Sequence, residues 1–320
     1  MSTGSSNIGT SKPGASHTDT PGMGDLRGKV AVITGAGSGF GREFARHAAR
    51  QGMALVLVDV QADALGATVA ELEAIGAPLM HRRLDVTDGE AMHALAHDAW
   101  ARYGAVHLLF NNAGVGCTGL VWEASVQDWE WVLGVNLWGT IHGLRAFVPR
   151  MLEEARENAG YRAHIVNTAS MAGLVDPPLT GPYNVAKHAV VSLAETLHQD
   201  LSLVTDRIGC SVLCPSWVGT GIAASDRNRP AAAAAQTRGA AVGRALVEKA
   251  VASARLTAAE VARMTFDAIA ERRFWILPHP QALDGVRARN EALLAGQAPP
   301  DPYAALPQLR GQLVDALRAP

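Results

Sequence analysis

Residues 29–51 limit the possible folds more than any other stretch. Lys29 to Thr34 (K-V-A-V-I-T) is a nearly continuous apolar run, the pattern of a strand buried on both faces of a parallel sheet. It enters a turn, Thr34-Gly35-Ala36-Gly37-Ser38-Gly39-Phe40-Gly41, and then a helical pattern from Arg42 to Gln51. Strand, glycine turn and helix in that order bring backbone and a helix N-terminus against a pyrophosphate. The glycines stand as Gly-x-x-x-Gly-x-Gly on Gly35, Gly39 and Gly41, not as Gly-x-Gly-x-x-Gly. A loop that merely turns gives the same local pattern, so the rest of the chain has to decide between them.

Beyond Gln51 the unit repeats. Strands are expected at 54–58, 79–84, 106–110, 165–168, 209–214 and 274–277, with helical patterns between them, which implies a doubly wound parallel sheet. The second strand ends at Asp59, twenty residues after Gly39, the usual distance to a carboxylate that accepts from an adenosine ribose. A 2′-phosphate there would meet a like charge, costing up to ~4 kcal/mol for unit charges at 4 Å and an effective dielectric of 20. The loop offers Ser38 rather than a cation, and Val60 and Gln61 follow Asp59, so NAD is expected over NADP. The third strand ends at Asp85-Val86-Thr87-Asp88. Asp85 can accept from an adenine amino group with Val86 against the ring, and Thr87 or Asp88 can cap the next helix. Asn111-Asn112-Ala113-Gly114 closes the fourth strand; small residues there admit a ligand, and the amides can tie strand ends together. A long helix is expected over 125–147. Within it Asn136 sits among apolar neighbours, where a buried amide marks a polar site or bonds a backbone carbonyl.

The second half carries a different signal. Ile165 to Thr168 leads to Ser170, then to a loop with Gly173, Pro177, Pro178, Gly181 and Pro182, and then to Tyr183 and Lys187 in a helical pattern running to Leu201. Four residues apart, the two side chains share a helix face. An ammonium beside a phenol lowers the phenol pKa, and a nearby hydroxyl completes a device that moves a proton at an alcohol or carbonyl oxygen. Tyr-x-x-x-Lys also occurs by chance in many helices, so the surroundings carry the weight.

Composition removes several alternatives. The net charge is -2 with no dense basic run, so no nucleic-acid partner is expected. No apolar run reaches the ~18 residues of a membrane helix, and residues 1–24 lack the apolar segment of a secretory signal. That Gly/Ser/Thr-rich stretch reads as a disordered leader. Cys210 and Cys214 fall in one strand, where four residues span ~13 Å, too far for a disulfide; a reducing, cytoplasmic setting is expected. The eleven histidines form no His-Glu-x-x-His pattern, so no metal site is expected.

Together these motifs resemble the classical short-chain dehydrogenase/reductase family over roughly residues 25–280. They are Thr34-Gly35-x-x-x-Gly39-x-Gly41, Asp59, Asp85-Val86, Asn111 to Gly114, Asn136, Ser170 and Tyr183-x-x-x-Lys187, with the thirteen-residue step from Ser170 to Tyr183. The resemblance implies a single Rossmann-type α/β domain with a seven-stranded parallel sheet, the leader before it, and a helical C-terminal extension over 281–320. It implies that Tyr183 is the general acid/base and that Lys187 tunes it and holds the nicotinamide ribose. Ser170 would bind the substrate oxygen, and Asn136 would hold a relay water. The cofactor cradle would comprise Gly35, Ser38, Gly39, Phe40 and Gly41, then Asp59, Asp85 and Val86, then Asn112, Ala113 and Gly114. Pro215, Val218 and Thr220 would meet the nicotinamide end, with Tyr183 and Lys187 also contacting the cofactor. Ser216 departs from the family, which usually has glycine after this proline.

A substrate lid is expected over 221–256, containing Ala231 to Ala235 and the basic Arg227, Arg229, Arg238 and Arg244. Val115 to Leu120, Met171, Ala172, Leu174, Pro177, Leu179 and Trp217 are the expected pocket, mostly apolar. The substrate expected is a secondary alcohol or ketone with a hydrophobic or aromatic body, and the family suggests a homodimer or homotetramer. Two alternatives stand: an NADPH-dependent ketone reductase, and a non-catalytic dinucleotide-binding sensor on the same fold. A sensor has no use for the proton relay of Ser170, Tyr183, Lys187 and Asn136.

Overall fold

The structure, a computed structural model, describes residues 22–230 and 237–318. Most of the expected leader and the whole of Ala231–Ala235 lie outside the described residues. Seven parallel strands form one sheet in the order β3-β2-β1-β4-β5-β6-β7. They are β1 Val30–Thr34, β2 Ala54–Asp59, β3 Leu79–Arg83, β4 Leu108–Asn111, β5 Ala163–Thr168, β6 Ile208–Leu213 and β7 Trp275–Ile276. The order reverses between β1 and β4, where an open parallel sheet leaves a crevice at its carboxyl edge. The registers β1 Thr34 with β2 Val58, and β4 Asn111 with β5 Asn167, bring the chemistry-bearing strand ends to that edge.

Alternation along the strands makes two cores. Ala31 and Ile33 face one cluster with Phe44 of α1 (Gly39–Arg50), Leu65 of α2 (Ala62–Glu73) and Phe266 of α8 (Ala258–Ala270). Val30 and Val32 face the other, with Trp100 of α3 (Gly89–Tyr103), Phe147 of α5 (Gly139–Glu157) and Leu201 of α6 (Gly181–Val204). Both faces being covered is the reason the strands read as apolar runs. Met23 is 4% exposed and belongs to the first cluster, so the packed domain includes residues that the sequence assigned to a disordered leader.

The helix expected over 125–147 is three pieces. α4, Val126–Leu133, starts at a capping box between Ser125 and Asp128; a π-turn spans Gly134–Trp138; α5 then runs on to Glu157. A π-turn widens the coil and re-aims one residue, and that residue is Asn136. After β6, a 3₁₀ segment Gly221–Asn228 leads toward α7 (Arg238–Ala252). The C-terminal extension comprises α9 (Leu283–Leu294) and α10 (Pro307–Arg318), and α10 packs on α7. No helix among the described residues is long and apolar enough to cross a membrane.

Candidate active site

A cleft of about 680 Å³ opens at the carboxyl edge of the sheet. Its floor is tied down by backbone and short side chains. Thr34 Oγ1 accepts from the N–H groups of Asn112 (2.8 Å) and Ala113 (3.0 Å), and Asn112 Nδ2 donates to the Thr34 carbonyl (2.9 Å). Asn111 Nδ2 donates to Asn167 Oδ1 at 2.9 Å. The asparagine amides thus tie β4 to both neighbours, as their spacing suggested. Gly35 has φ 67°, and a Cβ there would sit 3.0 Å from Ala113 Cα. Glycine adopts that conformation without strain and lets the two loops approach.

Three features of this end fit a dinucleotide. The first turn of α1 carries no acidic residue and its cap residue Ser38 makes no side-chain capping bond, leaving a helix N-terminus suited to an anion. Asp59 Oδ2 accepts from the Gly37 N–H and Oδ1 from the Gln61 N–H, each at 2.9 Å. Two fixed N–H groups set the carboxylate, and each oxygen keeps a lone pair for a hydroxyl donor. Ser38, Gly39, Phe40, Asp59, Asp85, Val86, Ala113 and Gly114 all line the cleft. Gly41 does not; it is buried beneath, where a Cβ would collide with the Gly35 carbonyl. Asp85 turns its own loop by accepting from the Thr87 N–H (3.0 Å), and Asp88 caps α3 through Ala91 (2.9 Å).

Groups whose chemistry could handle a proton converge at the other end. Ser170, Tyr183 and Lys187 line the cleft, with Lys187 Nζ 5.6 Å from the centroid of the Tyr183 ring. Ser170 Oγ accepts from the Ala172 N–H (3.1 Å) and lies 3.4 Å from the Pro215 carbonyl. Lys187 is 3% exposed and donates to the Thr168 carbonyl at 2.8 Å. Burial pushes its pKa down to about 8. Burial also raises Tyr183, opposed by its hydrogen bond with Ser170. This is opposite in sign to what the Tyr-x-x-x-Lys spacing alone suggested. The ammonium is spent on the Thr168 carbonyl, so desolvation of the phenol wins.

Asn136 is buried behind this pair. Its Oδ1 accepts from the Val115 N–H (2.8 Å) and its Nδ2 donates to the Val115 carbonyl (2.9 Å). Both alternatives for a buried amide therefore hold: it bonds backbone, and it does so next to the polar site. A Cβ on Gly114 would lie 3.1 Å from Asn136 Oδ1 and 3.5 Å from Lys187 Nζ, so the bare glycine keeps a gap between them.

The substrate end draws on distant segments. Met171, Ala172, Pro177, Leu179 and Trp217 line the cleft as expected from sequence. Leu174 does not; it packs against the buried cluster of Ala169, Val190 and Val191. Leu179 holds φ 67°, fixed by the Gly119 N–H on its carbonyl (2.9 Å), a strained position of the kind that collects at binding sites. Thr220 faces Gly39, and a Cβ on that glycine would approach it to 3.2 Å. Pro215 and Val218 also line the cleft, and the Val218 carbonyl is taken by the Thr220 N–H (2.7 Å). Ser216 has no positive φ, and its N–H donates to His279 Nδ1 at 3.1 Å; the loop needs no glycine there. From the lid come Ile222, Ser225, Leu246 and Val247, and from the C-terminal extension Tyr303. Tyr303 is not among the residues expected from sequence. It is the one residue between Leu293 and Gln308 that is not exposed, a signal visible only in three dimensions. Among the described residues, no group of three or more His, Cys, Asp or Glu could hold a metal ion.

The short chain dehydrogenase family profile matches residues 29–231, and the chain belongs to the short-chain dehydrogenase/reductase family of oxidoreductases. Among its relatives is a C alpha-dehydrogenase of Sphingobium sp., 33% identical over 93% of this chain and 94% of that protein. A 1-deoxy-11-beta-hydroxypentalenate dehydrogenase of Streptomyces avermitilis is 34% identical over 80% of this chain and 87% of that one. Among solved structures, a short chain dehydrogenase/reductase from Burkholderia phymatum in complex with NAD superposes with a TM-score of 0.84. It is 52% identical and covers 88% of this chain and 99% of its own.

Proposed function

We propose that the protein is an NAD-dependent dehydrogenase of secondary alcohols with a hydrophobic or aromatic body, working reversibly on the corresponding ketones. The observation that carries this is the convergence of Ser170, Tyr183 and Lys187 on one wall of a cleft whose opposite end presents the doubly anchored Asp59. Gly35, Ser38, Gly39, Phe40 and Asp59 would hold the adenosine and diphosphate, with Asp85 and Val86 at the adenine. Asn112, Ala113, Gly114, Lys187, Pro215, Val218 and Thr220 would hold the nicotinamide half. Bound oxidised nicotinamide supplies a hydride acceptor and a positive charge to the cleft.

The chain's own residues handle the proton. Ser170 donates to the substrate oxygen and steadies charge as it develops there. Tyr183 takes the alcohol proton in oxidation and returns it in reduction. Lys187 buried at a carbonyl fixes the phenol's surroundings, and its depressed pKa lets it pass a proton near neutrality. Asn136 has its amide committed to Val115, so its carbonyl, which already accepts from Thr140 Oγ1 at 3.0 Å, is the group left for a relay water.

Apolar side chains at the substrate end, among them Met171, Leu179, Leu246 and Val247, support a hydrophobic substrate body. The three cysteines are free and buried, which supports a reducing, cytoplasmic setting. Trp138 on the π-turn and Val185 on α6 are about half exposed, which supports a homodimer or homotetramer through those helices. One observation favours a second reading, with NADP. Arg83 donates to the Val60 carbonyl at 3.1 Å, and the lid's Arg227 reaches Gln61, so two cations stand near Asp59 that sequence distance concealed.

The test is turnover of a panel of aliphatic and aryl secondary alcohols with NAD and NADP in parallel. Faster turnover of bulky apolar alcohols with NAD is expected. Preference for NADP would overturn the cofactor assignment, and tight cofactor binding without turnover of any alcohol or ketone would turn the reading toward a sensor.

A further inference from the structure

The lid segment Gly221–Asn228 is held to the body at two places of different character. On the inner side, Ser225 Oγ, 4% exposed, accepts from the Gly116 N–H at 2.9 Å, and just beyond the segment Arg229 pairs with the buried Asp128 of α4. On the outer side the segment meets Gln61. Gln61 Nε2 donates to Asn228 Oδ1 at 2.8 Å, and Gln61 Oε1 accepts from Arg227 Nε at 3.2 Å. Arg227 is held in that pose by donating Nη1 to the carbonyls of Gly221 and Ala224, each at 2.8 Å.

Gln61 also belongs to the ribose corner. It lies two residues past Asp59, and its N–H donates to Asp59 Oδ1 at 2.9 Å. Asp59, Val60, Arg227 and Asn228 line the same cleft as Ser170 and Tyr183. The lid therefore spans the cleft from its substrate end to its adenosine end.

Resting on the cofactor assignment proposed above, we infer that Gln61, Arg227 and Asn228 form a clasp over the adenosine end of the cleft, whose opening admits and releases the dinucleotide. Gln61 is a positioning residue for the lid. The two attachments differ in how they open. Parting Arg229 from Asp128 strands a buried charge, whereas the clasp is uncharged on the Gln61 side and only part-buried at Asn228, with Arg227 exposed, so water can replace its bonds. Opening therefore starts at Gln61 and hinges near Arg229. The deeper contacts hold the substrate end closed while the cofactor end exchanges.

The experiment is stopped-flow displacement of bound reduced cofactor, NADH or whichever of NADH and NADPH binds tighter, followed by its fluorescence. The proteins are the parent, Gln61→Ala, Asn228→Ala and the double variant. Gln61→Ala keeps the backbone N–H that anchors Asp59 and loses both clasp bonds; Asn228→Ala loses one. Release about tenfold faster is expected in Gln61→Ala and about threefold faster in Asn228→Ala, the size of one or two side-chain hydrogen bonds. The double variant should match Gln61→Ala, because both changes break one contact. In Asn228→Ala the single-turnover rate of hydride transfer should not move.

Unchanged release in both single variants overturns the clasp. Faster release in Gln61→Ala alone also overturns it, since Gln61 would then act on the cofactor and not on the lid. If Gln61→Ala fails to fold, as read by its melting temperature, Asn228→Ala decides between the same outcomes. A parent protein that binds neither reduced cofactor overturns the functional reading and the clasp with it; normal binding with unaltered release overturns the clasp alone.

Discussion

The two ends of the cleft are built from different materials. The end proposed for adenosine is backbone: glycine turns, a helix N-terminus, and a carboxylate fixed by the N–H groups of Gly37 and Gln61. Its parts come from β1, β2 and β3 and the loops that directly follow them. The substrate end is side chains: Met171 and Leu179 from the loop before α6, Leu246 and Val247 from α7, and Tyr303 from the C-terminal extension. Backbone geometry is indifferent to most substitutions, so the first end suits a constant ligand. Side chains from separate segments change one at a time, so the second suits a ligand that differs between relatives. Ser170, Tyr183 and Lys187 stand where the two meet.

The largest effect that would sharpen this division is at the junction. Tyr183→Phe keeps the ring and removes the proposed proton carrier, so kcat for oxidation should fall by about 10²–10⁴. Affinity for NADH, measured by fluorescence titration, should stay within a few-fold; an equal loss of affinity would mean that the phenol serves cofactor binding and that the division fails. Next is Asp59→Ala. Losing charge-assisted hydrogen bonds should weaken NADH binding by roughly 10–100-fold, while kcat at saturating cofactor changes little. Should NADPH then bind better than NADH, Arg83 and Arg227 would be its partners, and the carboxylate alone would have enforced the preference.

Lys187 makes a prediction in stability. Its folded pKa of about 8 lies below the ordinary 10.5. At neutral pH the folded protein thus holds a charged group it disfavours, at a cost of about 3 kcal/mol for a fully buried site. Lys187→Met removes that cost but also the bond to the Thr168 carbonyl, worth about 1 kcal/mol. The variant should be inactive yet more stable than the parent by about 2 kcal/mol near pH 7 by denaturant melts. Between pH 8 and 10.5 the unfolded chain binds more protons at this site than the folded one, so the parent gains stability as pH rises and the difference should close. A gap that stays constant across that window would mean that Lys187 is not desolvated.

Legibility in the sequence divides along the same line. The seven strands, their order along the chain and the cofactor-end motifs were readable because each motif is local, a strand end and the turn after it. The parallel, doubly wound arrangement followed because parallel strands buried on both faces need crossover helices; the order of the strands in the sheet did not. The π-turn at Asn136 was not readable, since Gly134 to Trp138 carries an ordinary helical pattern. Nor was the sign of the Tyr183 shift: spacing places Lys187 on the same face but says nothing of the Thr168 carbonyl that takes its ammonium. Leu174 looked like a pocket residue because it is apolar and close in sequence to Ser170, yet the short 3₁₀ turn Met171–Gly173 rotates it into the core. Arg227 beside Gln61 joins positions far apart in the chain, and no local pattern reports such a pairing.

Tyr303 gives the smallest effect and the finest cut. It is partly buried in an otherwise exposed segment and lines the cleft, while α10 of the same extension packs on the lid helix α7. That geometry allows two roles: the ring touches the substrate, or it props the lid. An aromatic contact is worth about 1 kcal/mol beyond its buried area. Tyr303→Ala should therefore raise KM for bulky aryl alcohols by roughly five- to tenfold with kcat and NADH affinity nearly unchanged, and leave small aliphatic alcohols as they were. Tyr303→Phe should restore the aryl KM if the ring alone matters. If small and bulky alcohols lose equally, the ring props the lid and the extension is scaffold. If only the bulky ones lose, the extension is part of the pocket, and specificity in this chain is set partly by residues outside the segment that the family profile covers.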